Sequence, residues 1–127
     1  MDYFPIFTKI KDRHCLVVGG GDIAARKVHL LLKAGAAITV CAPEVCESLQ
    51  QKADNNQLTI IHDVFRDEFI DDKWLVIAAT NQREVNEHIA KLGEQKQLLV
   101  NVVDQPSLCT FIMPSIVDRS PIIISIS

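Results

Sequence analysis

His14-Cys15-Leu16-Val17-Val18-Gly19-Gly20-Gly21-Asp22-Ile23-Ala24 is the stretch that decides the fold. An apolar run that stops abruptly at three glycines reads as a buried strand. From residue 23 to residue 34 the apolar positions Ile23, Ala24, Val28, Leu31 and Leu32 follow helical spacing, and Gly35 stands where a C-cap glycine belongs. Gly19, Gly21 and Ala24 satisfy G-x-G-x-x-A, and each has a physical reason to be there. Gly19 permits the tight turn out of the strand. Gly21 lacks a Cβ, so a pyrophosphate can approach the backbone. Ala24 is small enough for the helix to pack closely on the sheet. The helix N-terminus then presents free N–H groups and a partial positive charge to phosphates. A glycine pattern alone is weak, but here a strand precedes it, a helix follows, and a second strand comes at βαβ distance.

Working outward, the pattern is alternation. Strands are expected at 37–41, 58–61, 74–78 and 98–102, and helices at 44–54 and 83–95, with Asn81 as a cap for the latter. The third helix should bury Val85, Ile89 and Leu92. Alternating strands and helices imply an α/β fold, a Rossmann-type doubly wound parallel sheet. The tail differs. Residues 110–117 and 121–126 flank Asp118-Arg119-Ser120 and suggest a β-hairpin. The division expected is a dinucleotide-binding Rossmann domain over 1–109 and the start of a dimerisation and substrate region over 110–127. Because Ile122 to Ser127 ends inside an apolar strand pattern, the sequence is expected to belong to a longer chain.

The chain's 127 residues suffice for one core. A net charge of -3 and the lack of a basic stretch interleaved with aromatics argue against nucleic acid as a partner. No apolar stretch is long enough for a bilayer, and Met1 to Pro5 has no signal-peptide pattern, so no membrane partner is expected and the cytoplasm is the expected compartment. Cys15, Cys41, Cys46 and Cys109 form no C-x-x-C pair, and no metal site is assigned.

The acid that commonly holds the adenosine ribose near the end of the second strand is missing, since that region reads Val40-Cys41-Ala42-Pro43-Glu44. Glu44 comes late but can reach from the loop. No arginine follows to suit a 2′-phosphate, which favours NAD over NADP. Thr80 and Asn81 end the fourth strand and suit close passage beside a cofactor, with a helix cap as the competing role for Asn81. Asp104, at the mouth of the sheet before Pro106, reads either as a general base or as a turn-forming aspartate. Arg26 and Lys27 read either as anion ligands or as solvated helix charges, and the Asp67-Glu68 and Asp71-Asp72 pairs read as a solvated loop.

Several blocks, in order along the chain, resemble the N-terminal module of siroheme synthase, the precorrin-2 dehydrogenase and sirohydrochlorin ferrochelatase. They are Phe4-Pro5-Ile6-Phe7, then Val17 to Gly21 with Ala24, Arg26 and Lys27, then Ala78-Ala79-Thr80 and Asn101-Val102-Val103-Asp104. Phe111-Ile112-Met113-Pro114-Ser115 and Asp118-Arg119-Ser120-Pro121 complete the set. The resemblance implies NAD-dependent oxidation of precorrin-2 to sirohydrochlorin, followed by insertion of ferrous iron as a substrate. It also implies a homodimer, and it is closest to multifunctional bacterial enzymes that add a uroporphyrinogen-III methyltransferase. Asp104 falls at the family's key aspartate, whose implied role is proton removal. Implied NAD contacts fall at Asp22, Ile23, Pro43 and Glu44, and implied tetrapyrrole contacts at Asn101, Phe111, Met113 and Ser115. Two other readings compete. One is a non-enzymatic NAD-sensing regulatory domain, which usually keeps the acid missing here. The other is the cofactor domain of an unrelated dehydrogenase.

Overall fold

In the computed structural model, β1 (His14–Val18) has every residue from Cys15 to Val18 buried, because it lies at the centre of a sheet covered on both faces. The structure describes residues 1–120 and 122–126, with the side chains of Ser115, Val117, Arg119 and Ile122 outside that description. Parallel to β1 run β2 (Ala37–Cys41) and β4 (Leu75–Ala78), with β3 (Thr59–Ile61) and β5 (Leu99–Val102) outside them, giving the order β3-β2-β1-β4-β5. Strand order therefore reverses between β1 and β4, where open α/β sheets leave a crevice at the carboxyl ends of the strands. The Rossmann-type expectation holds.

Both faces are packed, which is why the strands read as continuous apolar runs rather than alternating ones. Cys15, Val17, Ile38, Val40, Leu75 and Ile77 meet Ala24, Val28 and Leu31 of α1 (Asp22–Lys33) and Leu49 of α2 (Glu47–Asp54). Leu16, Val18, Val76, Ala78, Val100 and Val102 meet Ile89 and Ala90 of α3 (Arg83–Gln95) on the other face. Each fully buried aliphatic side chain of this kind contributes about 1.5–3 kcal/mol. Helix α1 ends as expected at Gly35, whose φ is +85°. Gly35 N–H donates to Leu32 O and Ala36 N–H to Leu31 O, the paired bonds of a Schellman cap. Burial pushes the thiols of Cys15 and Cys41 up to about 11, with the nearby Asp63 charge adding to the effect at Cys41.

Several boundaries differ from expectation, each for a local reason. Helix α2 begins at Glu47 rather than at residue 44, because Cys46 N–H donates to Gly20 O at 2.7 Å and holds the preceding residues across the glycine loop. The N-cap of α3 is Gln82, not Asn81. Its buried stripe is Asn86, Ile89, Ala90 and Gly93, with Val85 and Leu92 only half-buried at its margin. The acidic segment expected as a loop forms a 3-10 turn at Asp67–Ile70, tied to α3 by Asp67 with His88 and to the residue after α3 by Asp71 with Lys96. Residues 110–114 are not a strand. Thr110 instead borders β5, its N–H donating to Val100 O and its Oγ1 accepting from Val100 N, each at 2.8 Å. The hairpin is narrower than expected, with β6 (Ser115–Arg119) antiparallel to β7 (Ile122–Ile126). Pro121 and Ser127 lie outside the described residues. Among the described residues, no helix is long and apolar enough to cross a membrane.

Candidate functional site

The three glycines after β1 are there for three different reasons. Gly19 has φ +135°, and a Cβ on it would lie 2.3 Å from Ala79 O, so the backbone just past β4 excludes any side chain. A Cβ on Gly20 would lie 2.0 Å from Glu44 O. This second glycine is invisible to the G-x-G-x-x-A pattern, yet it lets the loop after β2 close against the first loop. Gly21 is the opposite case, for nothing lies within 4 Å of a Cβ placed there. Its backbone is extended, at φ -91° and ψ -167°, and it forms the N-cap of α1 without a side-chain cap. Open space therefore faces an N-terminus whose first amides find no capping side chain, and that is the geometry an anionic pyrophosphate requires.

Around this loop stand the other expected cofactor residues. Asp22 and Ile23 open α1 and are exposed, Ile23 by 46% despite its apolar side chain. Pro43 and Glu44 lie exposed just past β2. Thr80 is half-buried after β4 and Asn81 is exposed. Thr80 Oγ1 donates to Asn86 Oδ1 at 2.6 Å, and Asn86 Nδ2 donates to Thr80 O at 3.0 Å. Thr80 Oγ1 also accepts from Gln82 N at 3.2 Å. Asn86 is thus a buried polar clamp that shapes the loop after β4. The apolar-stripe reading of α3 passed over it, although an asparagine three and four residues before Ile89 and Ala90 was the signal.

Asp104 lies on a tight turn after β5, closed by Gln105 N–H donating to Val102 O at 3.3 Å. Its φ of +63° is left-handed, a conformation that Asp12 and Asp72 also adopt, so strain does not set it apart. Its surroundings do. Asp104 borders an open groove of about 550 Å³ between this turn and α1, together with Ile23, Arg26, Lys27, Asn101 and Met113. The carboxylate is exposed and has no hydrogen bond or ion pair among the described residues. Cys109 fastens the turn from behind, its Sγ accepting from Val102 N at 3.1 Å and donating to Val102 O at 3.3 Å. Asn101 is buried, and its Nδ2 donates to Phe111 O at 3.2 Å, so its amide positions the segment that follows. Phe111 packs against the α1 core and is not among the residues lining the groove. Ser115 falls in β6, with its side chain outside the described residues. No cluster of three or more metal-ligating side chains occurs among the described residues.

A parallel sheet with its switch point beside a glycine loop and a bare helix N-terminus defines a dinucleotide-binding protein of Rossmann type. A family model described as "Putative NAD(P)-binding" matches residues 6–115. The chain belongs to that family, and membership supports NAD as the cofactor. The siroheme synthase of Psychromonas ingrahamii is 61% identical over 127 residues, which is all of this chain and 27% of that protein. The siroheme synthase of Photobacterium profundum is 50% identical over the same extent of each. A solved structure of SirC, precorrin-2 dehydrogenase, superposes with a TM-score of 0.84 at 31% identity, covering 98% of this chain and 61% of that one. The chain therefore spans about a quarter of the length of the siroheme synthases that it matches.

Proposed function

We propose that this chain is the NAD-dependent module that oxidises precorrin-2 to sirohydrochlorin in siroheme formation. The observation that carries the reading is the Asp104 carboxylate, which stands unpaired on the rim of a groove that also reaches Ile23 at the cofactor loop. Similarity to siroheme synthases and to a precorrin-2 dehydrogenase supplies the substrate. The residues present fit NAD. Gly21 leaves room for a pyrophosphate and the first turn of α1 has no side-chain cap on its amides, so these would hold the phosphates, and Pro43, Glu44, Thr80 and Asn81 would contact the rest of the cofactor. When bound, the nicotinamide supplies the acceptor for two electrons and one hydrogen. The tetrapyrrole must also lose a proton, and Asp104 takes it. Cys109 and the turn hydrogen bonds hold that carboxylate in place. Asn101, through Phe111 O, sets the course of the segment carrying Met113 along the groove.

The same reading includes insertion of ferrous iron, as substrate, into sirohydrochlorin, where Asp104 helps remove the two protons that leave the macrocycle. It also includes a homodimer. Ile116, Ile123, Ile124 and Ile126 of the hairpin are each about half exposed, the surface expected of a ribbon that packs on a second copy. The unit runs over 1–109 as the cofactor domain, with 110–127 opening the dimerisation and substrate region. The compartment is the cytoplasm, where the four free thiols stay reduced. Anaerobic incubation of the native protein with NAD and precorrin-2 tests the reading. NADH absorbance is expected to rise only when precorrin-2 is present and to be lost in Asp104→Ala. Undiminished turnover in that variant removes Asp104 from the mechanism, and no NADH from folded, NAD-binding protein removes the dehydrogenase.

A further inference from the structure

The groove that holds Asp104 carries charge on both rims. Arg26 and Lys27, in the second turn of α1, face it from the side opposite Asp104, and these three are the only charged residues lining it among those described. Neither cation forms a hydrogen bond or ion pair with a described residue. Leu30, Ile112 and Met113 add apolar lining to the same groove. The groove therefore suits a flat, largely apolar body that bears carboxylates at its periphery.

We propose that Lys27, assisted by Arg26, binds peripheral carboxylates of the tetrapyrrole and so anchors the macrocycle in the groove that Asp104 borders. This rests on the substrate reading above and extends it to an anchoring pair. Acetate and propionate side chains ring such a macrocycle, so an ammonium and a guanidinium on one rim hold a carboxylate-bearing ring at α1. Lys27 is the cleaner probe. It is half-buried, whereas Arg26 is exposed and also borders the separate groove between α1 and α2.

The test is steady-state dehydrogenation by the native protein carrying Lys27→Gln, Lys27→Arg or Arg26→Gln with Lys27→Gln, measured against NAD and precorrin-2 separately. Lys27→Gln is expected to raise KM for precorrin-2 about tenfold, the order expected for one charge-assisted hydrogen bond, with kcat and KM for NAD little changed. The double variant should lose more, and Lys27→Arg should recover most of the loss. Wild-type KM for precorrin-2 should rise with ionic strength more steeply than that of the double variant. An unchanged KM for precorrin-2 in the double variant overturns the proposal while leaving the dehydrogenase reading intact. So does a rise confined to KM for NAD, which would assign both cations to the cofactor. If wild-type protein neither binds nor oxidises precorrin-2, the functional reading falls, and the anchoring role falls with it.

Discussion

Replacing Gly21 with alanine separates the ligand's need for space from the fold's need for it. A Cβ there meets nothing within 4 Å, and φ of -91° suits any residue, so no steric cost arises in the folded chain. Two small effects remain and oppose each other. Alanine is a poorer N-cap than glycine, at a cost of about 0.5–1 kcal/mol. It also restricts the unfolded chain, a gain of about 0.4–1 kcal/mol. Stability should therefore change by less than about 0.5 kcal/mol, which for this chain length is a Tm shift of about 2 °C. NAD affinity should fall much further. Displacing the pyrophosphate from one or two amides loses charge-assisted hydrogen bonds, about 1.5–3 kcal/mol or roughly 10- to 150-fold. At NAD held at 100 times the wild-type Kd, ligand stabilisation would drop from about 2.7 kcal/mol to about 0.4 kcal/mol for a hundredfold loss. Thermal melts with and without NAD read both quantities in one experiment. Gly19→Ala serves as the contrast, for its Cβ would sit 2.3 Å from Ala79 O at a positive φ, and it should unfold at a much lower temperature. The reasoning fails if Gly21→Ala destabilises as much as Gly19→Ala, or if it keeps the full NAD-induced rise in Tm.

Two further outcomes are expected. Asn86→Ala removes both hydrogen-bonding groups that hold Thr80, so urea unfolding should show a loss of about 2–3 kcal/mol; an unchanged midpoint would mean that this clamp does not hold the loop. The raised thiols predict alkaline weakening. Cys15 and Cys41 ionise near 9 when exposed and near 11 in the folded chain, so the unfolded state releases protons that the folded state keeps. Their contribution is fully present below pH 9 and is lost as pH rises toward 11, by at most about 2–3 kcal/mol per thiol. Denaturant melts across that range should show a shallower decline in Cys15→Ala with Cys41→Ala than in wild type, and identical slopes would contradict the assignment.

What could be read from the sequence was what depends on near neighbours. The bounds of β1, β2 and α3 follow from apolar runs and helical spacing, and the sequence pattern identifies Gly19 and Gly21 because a strand, a tight turn and a helix succeed one another directly. What escaped depends on distant partners. Gly20 is needed only because the backbone of Glu44 presses on it, and α2 starts late only because Cys46 bonds to Gly20 O. Asn86 hid on a face judged by its apolar members, since its partner Thr80 lies outside the helix. Arg26 and Lys27 read in the sequence more as solvated helix charges than as anion ligands. Only the folding of α1 against the turn after β5 brings them opposite Asp104.

The central place of β1 bears on how the chain is made. Cys15 lies beside Ile38 on one side and Leu75 on the other, so the strand acquires its second neighbour only after sixty further residues have been added. At cellular rates of elongation that interval is about 3–12 s. Through it, one edge of an apolar strand buried from Cys15 to Val18 has no native partner. Within its sheet β1 is made before every other strand yet is enclosed only when β4 has been added, and the nascent sheet is most open to misassociation before β4 emerges.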